Sequence, residues 1–163
     1  MEGTYKINCD GAFLQSTRRG GWGCIIRNHH GDFLAASAGG MEHTLNALHA
    51  EATACLEGLE LAAKLGMHRV VVESDAVNLV KVITGSATDQ SELAVLFSDI
   101  REKILYEFNC CTMSNCSRSC NLAADCLAAC GLNSGVVDPS EWLGQAPEFV
   151  IPFVSGDLPG VGQ

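Results

Sequence analysis

The chain predicts an α/β fold: a five-stranded mixed sheet, three antiparallel strands followed by parallel additions, with helices on both faces. Three observations carry this expectation. Residues 4–10 alternate polar and apolar side chains, the two-residue period of a half-buried strand. Residues 46–65 repeat apolar side chains at spacings of three and four, the period of a helix. The whole chain then reads βββαβααβα, and a strand–helix–strand crossover within that order builds parallel pairs.

Taken in order, residues 4–10 are the first strand, and residues 11–20, with Ser16, Thr17, Arg18, Arg19 and Gly20, read as a loop. Residues 21–28 and 33–40 flank His29-His30-Gly31-Asp32, a turn cluster, and so form a hairpin. In the long helix, Leu48, Ala52, Cys55, Leu59 and Ala62 make one apolar face, and Lys64 and Gly66 supply a terminal charge and a stop. Glu51 falls three residues after Leu48 and four before Cys55, on the packed side; Glu60 and Lys64 form an i,i+4 pair on the solvated side. Residues 69–75 are a strand whose Val70-Val71-Val72 run suits a central position. A short helix over 76–83 ends at Gly85. A polar linker over 86–91 leads to a helix reaching about residue 105, then a strand over 106–114 and a helix over 120–132.

All four prolines, Pro139, Pro147, Pro152 and Pro159, follow residue 132, where the composition changes. The chain therefore divides into a domain over 1–132 and an extended arm over 133–163. Trp142, Phe149, Ile151 and Phe153 are too apolar for a disordered tail, so the arm is expected to pack on the domain.

Composition narrows the function. The 163 residues make one domain, expected to be a monomer, and no apolar stretch approaches the roughly 20 residues of a membrane span. Met1-Glu2-Gly3 lacks the features of a leader, and nine irregularly spaced cysteines suit reduced thiols, so a nuclear or cytoplasmic site is expected. Cys116, Cys120, Cys126 and Cys130 contain no CxxC pair, which argues against a zinc site, and Cys126 and Cys130 at i,i+4 read as small packing residues. Gly20-Gly21-x-Gly23 opens a strand and lacks the Lys-Ser/Thr of a phosphate loop; it reads as a close backbone passage. The net charge of -9 argues against a general polyanion binder, because the ten basic residues are scattered. Contact with nucleic acid is expected to be weak, metal-dependent and salt-sensitive.

Four acids stand out. Asp10 closes the run Lys6-Ile7-Asn8-Cys9 and precedes a turn glycine, Gly11. Glu51 lies in the opening of the long helix, Asp75 closes Val70-Val71-Val72-Glu73-Ser74, and Asp125 lies in the last helix. A charge that closes an apolar run is costly unless something compensates it. Carboxylates in the order strand end, helix, strand end, helix can converge on two divalent cations, which hydrolysis of a phosphodiester requires. Glu73, two residues before Asp75, reads as a solvent-side neighbour and is left out of the set.

The stretches KINCDGAF, GGWGCIIRNHHGDFLAA, ALHAEATACLEGLELAAKLG, VVVESDAVNLV and NLAADCLA cover most of residues 4–132. Together they resemble a type 1 ribonuclease H domain, in the plant form derived from retrotransposons. The resemblance implies the RNase H-like fold and an endonuclease that hydrolyses the RNA strand of RNA–DNA hybrids with two Mg²⁺ or Mn²⁺ ions. It implies that Asp10 and Asp75 sit on neighbouring central strands and share a metal, with Glu51 completing one shell and Asp125 the other. It also implies a loop histidine ten residues before the last acid. Here that place holds Asn115, in a loop that keeps Arg118; an amide cannot titrate near neutral pH, so turnover is expected to be slow. Gly11, Asn115, Arg118 and Asn121 are the implied substrate contacts. Ala47, Leu48 and Ala76 stand where many members carry polar residues, and residues 85–92 hold no Lys or Arg where some carry a basic protrusion. These departures leave an alternative: a domesticated, weakly active or inactive module that binds nucleic acid or protein.

Overall fold

A computed structural model describes residues 2–85, 87–135 and 138–155. The alternating segment becomes β1 (Tyr5–Leu14), which pairs antiparallel with β2 (Arg19–Arg27), itself antiparallel to β3 (Phe33–Met41). The expected loop over 11–20 is a correction: β1 runs on through Gly11 to Leu14, opposite Arg19, and only residues 15–18 turn. Polar composition suggested a loop there. Gly11, Ala12 and Phe13 nevertheless face Trp22, Gly21 and Gly20, so the ladder continues without steric cost.

The long helix is α1 (Ala47–Lys64). Asn46 caps it by accepting the His49 N–H at 2.9 Å, and Ala50, Cys55, Leu59 and Ala62 are buried. Lys64 does not pair with Glu60; it reaches Glu141 at 3.0 Å, while Glu60 lies 3.9 Å from Lys103. The Val-rich segment is β4 (Arg69–Ser74), parallel to β1 and central, with Ile7 beside Val72 and Asn8 beside Glu73. After α2 (Val77–Ile83) and α3 (Ala94–Glu107), β5 (Cys110–Asn115) adds in parallel to β4. A 3-10 turn at Arg118–Cys120 leads into α4 (Leu122–Ser134).

The sheet order is β5-β4-β1-β2-β3-β6, six strands where five were expected. The sixth is β6 (Ser140–Leu143), antiparallel to β3 with Trp142 beside Ala36. Without it β3 would present a row of unpaired backbone groups, and the segment after α4 satisfies them. The Ser37 hydroxyl adds a bond to the Ser140 carbonyl at 3.0 Å. The chain then forms the short α5 (Ile151–Val154).

Helices cover both faces as expected. On one face α1, α2 and α3 bury Leu59, Leu79, Phe97 and Ile100 against Ile7, Cys24 and Ile26. On the other, α4 packs Ala123 and Leu127 on Ile25, Ala36 and Ala38, joined by Trp142, Val150 and Phe153. The close passage read from Gly20-Gly21-x-Gly23 is real: a Cβ on Gly23 would stand 2.5 Å from the Ala128 nitrogen. All nine cysteines are free, and Cys9, Cys24 and Cys55 are buried as small apolar residues. Among the described residues no helix is long and apolar enough to cross a membrane.

Candidate active site

Gly11 brings β1 and α1 together. A Cβ there would lie 2.4 Å from the Ala50 carbonyl carbon and the Glu51 nitrogen, so only glycine lets the helix start this close to the strand. The same residue donates its N–H to Asp10 Oδ1 at 3.0 Å and to Glu51 Oε2 at 3.1 Å, tying the two carboxylates to one point. Asp75 follows β4, which runs beside β1, and joins them from the neighbouring strand end. One oxygen from each of Asp10, Glu51 and Asp75 lies within 4.8 Å of the others.

The cost of this crowding appears in the acidities. Burial, then the Asp75 charge, pushes Asp10 up to about 7, and the nearby Asp125 charge adds to it. Glu51 is pushed up to about 9, first by burial and then by the charge of Asp10. Like charges held together out of water favour protonation unless a cation compensates them. Hard carboxylate oxygens converging from three elements are the donor set that Mg²⁺ or Mn²⁺ accepts, so the residues present fit a divalent ion.

Asp125 stands in the first turn of α4, half-buried. It lies outside the tight group of three yet close enough to Asp10 for its charge to push the Asp10 carboxyl up. Glu73 stays outside the group, bonded instead to Lys6 at 3.2 Å and to Asn8 at 3.2 Å. It is half-buried, not a free solvent-side carboxylate. Asn115 ends β5 and donates to the Ser74 carbonyl at 3.1 Å, beside Asp75. Arg118 is exposed in the 3-10 turn.

Asn121, an expected substrate contact, immediately precedes α4. It is fully buried, and its amide nitrogen donates to the Cys9 carbonyl at 3.0 Å and to Asp75 Oδ1 at 3.4 Å. Its side-chain oxygen accepts from the Asn8 amide at 3.2 Å. Gly11, likewise, commits its N–H to the two carboxylates. Sequence reasoning missed Asn8. It is fully buried, bonded to Asn121, Glu73 and Arg27, and its one signal was an amide inside an otherwise apolar alternation just before Asp10. Beside Glu51 a shallow groove of about 240 Å³ is lined by Ala47, Leu48, Ala76, Val77 and Asn78.

Three carboxylates gathered from the middle of β1, the end of the adjoining β4 and a facing helix, on a six-stranded mixed sheet with helices on both faces, define an RNase H-like α/β protein. The chain belongs to the Reverse transcriptase-like family, whose model matches residues 8–131. No curated protein matches it. Solved structures of similar fold include RNase H1 from the halophilic archaeon Halobacterium salinarum, at 22% identity and TM-score 0.76, covering 81% of this chain and 99% of that one. The N-terminal RNase H domain of a Mycobacterium tuberculosis protein matches at 23% identity and TM-score 0.74, covering 80% and 94%. An RNase H1 isolated from compost, in complex with an RNA/DNA hybrid, matches at 21% identity and TM-score 0.74, covering 80% and 97%.

Proposed function

We propose that this chain is a ribonuclease H, a metal-dependent endonuclease that cuts the RNA strand of RNA–DNA hybrids. The observation that carries the reading is the convergence of Asp10, Glu51 and Asp75 within 4.8 Å, from two neighbouring strands and a helix. Two divalent ions, Mg²⁺ or Mn²⁺, would supply activated water and stabilise the leaving 3′ oxygen there. Asp10 would touch both ions and share one with Asp75, Glu51 would complete one shell and help hold the attacking water, and Asp125 would hold the other ion from α4. A solved relative of the same fold is bound to an RNA/DNA hybrid, which supports that substrate class.

Asn115 cannot carry a proton near neutral pH, so turnover is slow; a positioned proton carrier is worth about 10²–10⁴-fold. Arg118, exposed in the turn that follows, is the cation nearest in sequence to Asn115 and meets the phosphate backbone. Binding is weak and salt-sensitive because the protein carries a net charge of -9. The protein acts as a monomer in a reducing compartment, nucleus or cytoplasm, and descends from a plant retrotransposon, the lineage its motifs resemble.

One observation favours a second reading, a non-catalytic module. The groove beside Glu51 is walled by Ala47, Leu48, Ala76 and Val77, with Asn78 its one amide, so it offers little to the hydroxyls of a hybrid. Labelled hybrid incubated with Mg²⁺ or Mn²⁺ decides between them, with Asp10→Asn as control. Cleavage of the RNA strand by wild type alone supports the enzyme. Bound metal without cleavage supports the module.

A further inference from the structure

A chain of buried side chains leads away from the carboxylates to a cation that the proposed chemistry does not use. Arg27, in β2, is 1% exposed and donates from Nη1 to Asn8 Oδ1 at 3.1 Å. A guanidinium only donates, so Asn8 must present its oxygen to Arg27. The Asn8 amide nitrogen then points the other way, with its two hydrogens directed to Glu73 Oε2 and Asn121 Oδ1, both at 3.2 Å. Asn121 in turn has its oxygen committed to Asn8. Its nitrogen is therefore compelled to face the Cys9 carbonyl at 3.0 Å and Asp75 Oδ1 at 3.4 Å.

We propose that Arg27, Asn8 and Asn121 form an orienting relay in which the buried guanidinium sets the sense of both amides and so fixes the carboxylate of Asp75. Each amide, taken alone, could be turned end for end. Anchored on Arg27, neither can. The relay also binds three elements together: β2 through Arg27, β1 through Asn8 and the Cys9 carbonyl, and the start of α4 through Asn121. Asp125 lies one helical turn after Asn121, and its backbone N–H bonds the Asn121 carbonyl at 3.0 Å. Both sides of the carboxylate site are thus registered to the same buried cation. Asn8 and Asn121 are positioning residues. Asn8 bonds Asn121, which bonds Asp75, so its hydrogen-bonded link to the triad runs through Asn121.

The inference rests on the reading of Asp10, Glu51 and Asp75 as a divalent-cation site, and the test separates the two. Mn²⁺ alone is titrated into wild type, Asn8→Ala, Asn121→Ala and the double variant, and followed by electron paramagnetic resonance and calorimetry at a temperature where all are folded. Loss of a partner that orients a metal ligand typically costs about 10–100-fold in affinity. Asn121→Ala is expected to fall in that range, Asn8→Ala by about 10-fold, and the double variant no further than Asn121→Ala. Glu73→Gln, which keeps an acceptor for Asn8, is expected to bind as wild type does. Wild-type affinity in both single variants overturns the relay alone, even if their melting temperatures fall. Fully additive losses overturn it too, because the two amides then act independently. No Mn²⁺ binding by wild type overturns the site reading and the relay with it. Should Asn8→Ala not fold, Asn8→Ser, which keeps a hydroxyl too short to span the partners, is judged by the same criteria.

Discussion

Replacing Gly23 with alanine tests how α4 is held. The new Cβ would stand 2.5 Å from the Ala128 nitrogen and from the Leu127 Cβ, about 0.9 Å short of the 3.4 Å at which ordinary contact begins. The opposing atoms belong to the helix itself, so no flexible side chain can yield and α4 must retreat. Overpacking of this kind costs about 1–3 kcal/mol, and the rigid contact places Gly23→Ala in the upper half, about 2–3 kcal/mol. In a domain of this size 1 kcal/mol moves the melting temperature by about 2–4 °C, so a fall of about 4–12 °C is expected. Gly58→Ala is the control. Its Cβ meets the Ile7 Cγ2 at 2.9 Å, a side-chain atom, and alanine gains up to about 1 kcal/mol of helix propensity, leaving the change within about 1 kcal/mol of zero. Thermal melts in metal-free buffer read both. Because α4 carries Asp125, Gly23→Ala should also reduce hybrid cleavage at temperatures where it remains folded. A Gly23→Ala protein that melts within 2 °C of wild type, or a Gly58→Ala protein that loses as much, would refute this account of the helix–sheet contact.

Further outcomes follow from the site and the sixth strand. Asp10, at about 7 against its usual 3.8, and Glu51, at about 9 against 4.5, bind protons more tightly when folded. Their contribution to stability is complete below about pH 4 and lost as pH rises through 7 and then 9, so the metal-free protein should unfold more readily at pH 9 than at pH 6. Millimolar Mg²⁺ should restore stability at pH 8, and Asp10→Asn should melt higher than wild type without metal yet lose most of the Mg²⁺-induced rise; equal rises in both would refute a shared site. Asn115→His should increase hybrid cleavage by 10-fold or more, the gain fading below the unperturbed imidazole pKa of about 6.5, and should do nothing in an Asp10→Asn background. Ending the chain after residue 135 should expose Ala36 and Ala38 and cause association detectable by light scattering; a monodisperse truncated protein with unchanged melting would show the arm to be dispensable.

What the sequence made legible was local and periodic. The alternation before Asp10, the Leu48-to-Ala62 stripe that put Glu51 on the packed side and the Val run before Asp75 each translated into an element at the expected place. Pairing between distant segments was not legible. Ser140–Leu143 is four residues without alternation, and it is a strand because β3 offers an unsatisfied edge. Likewise residues 11–14 open on a turn glycine and lead to the polar run over residues 16–20, and the glycines of β2 across from them let the strand continue. Asn8 falls on the polar side of the alternation over residues 4–10. Its burial follows from α4 crossing that face, which no local pattern announces.

The sixth strand has a consequence for the order in which the molecule can be completed. β3 ends at Met41 and its outer partner begins at Ser140, with β4, β5 and the four longer helices made in between. At about 5–20 residues per second, a ribosome leaves that edge of the nascent sheet bare for roughly 5–20 s. During that interval two emerging chains can pair edge to edge through their β3 strands, and β6 arrives as a competitor for a contact already open to others. Slower translation between residues 41 and 140 would lengthen the exposure, so the yield of folded protein should depend on synthesis rate more than on final stability.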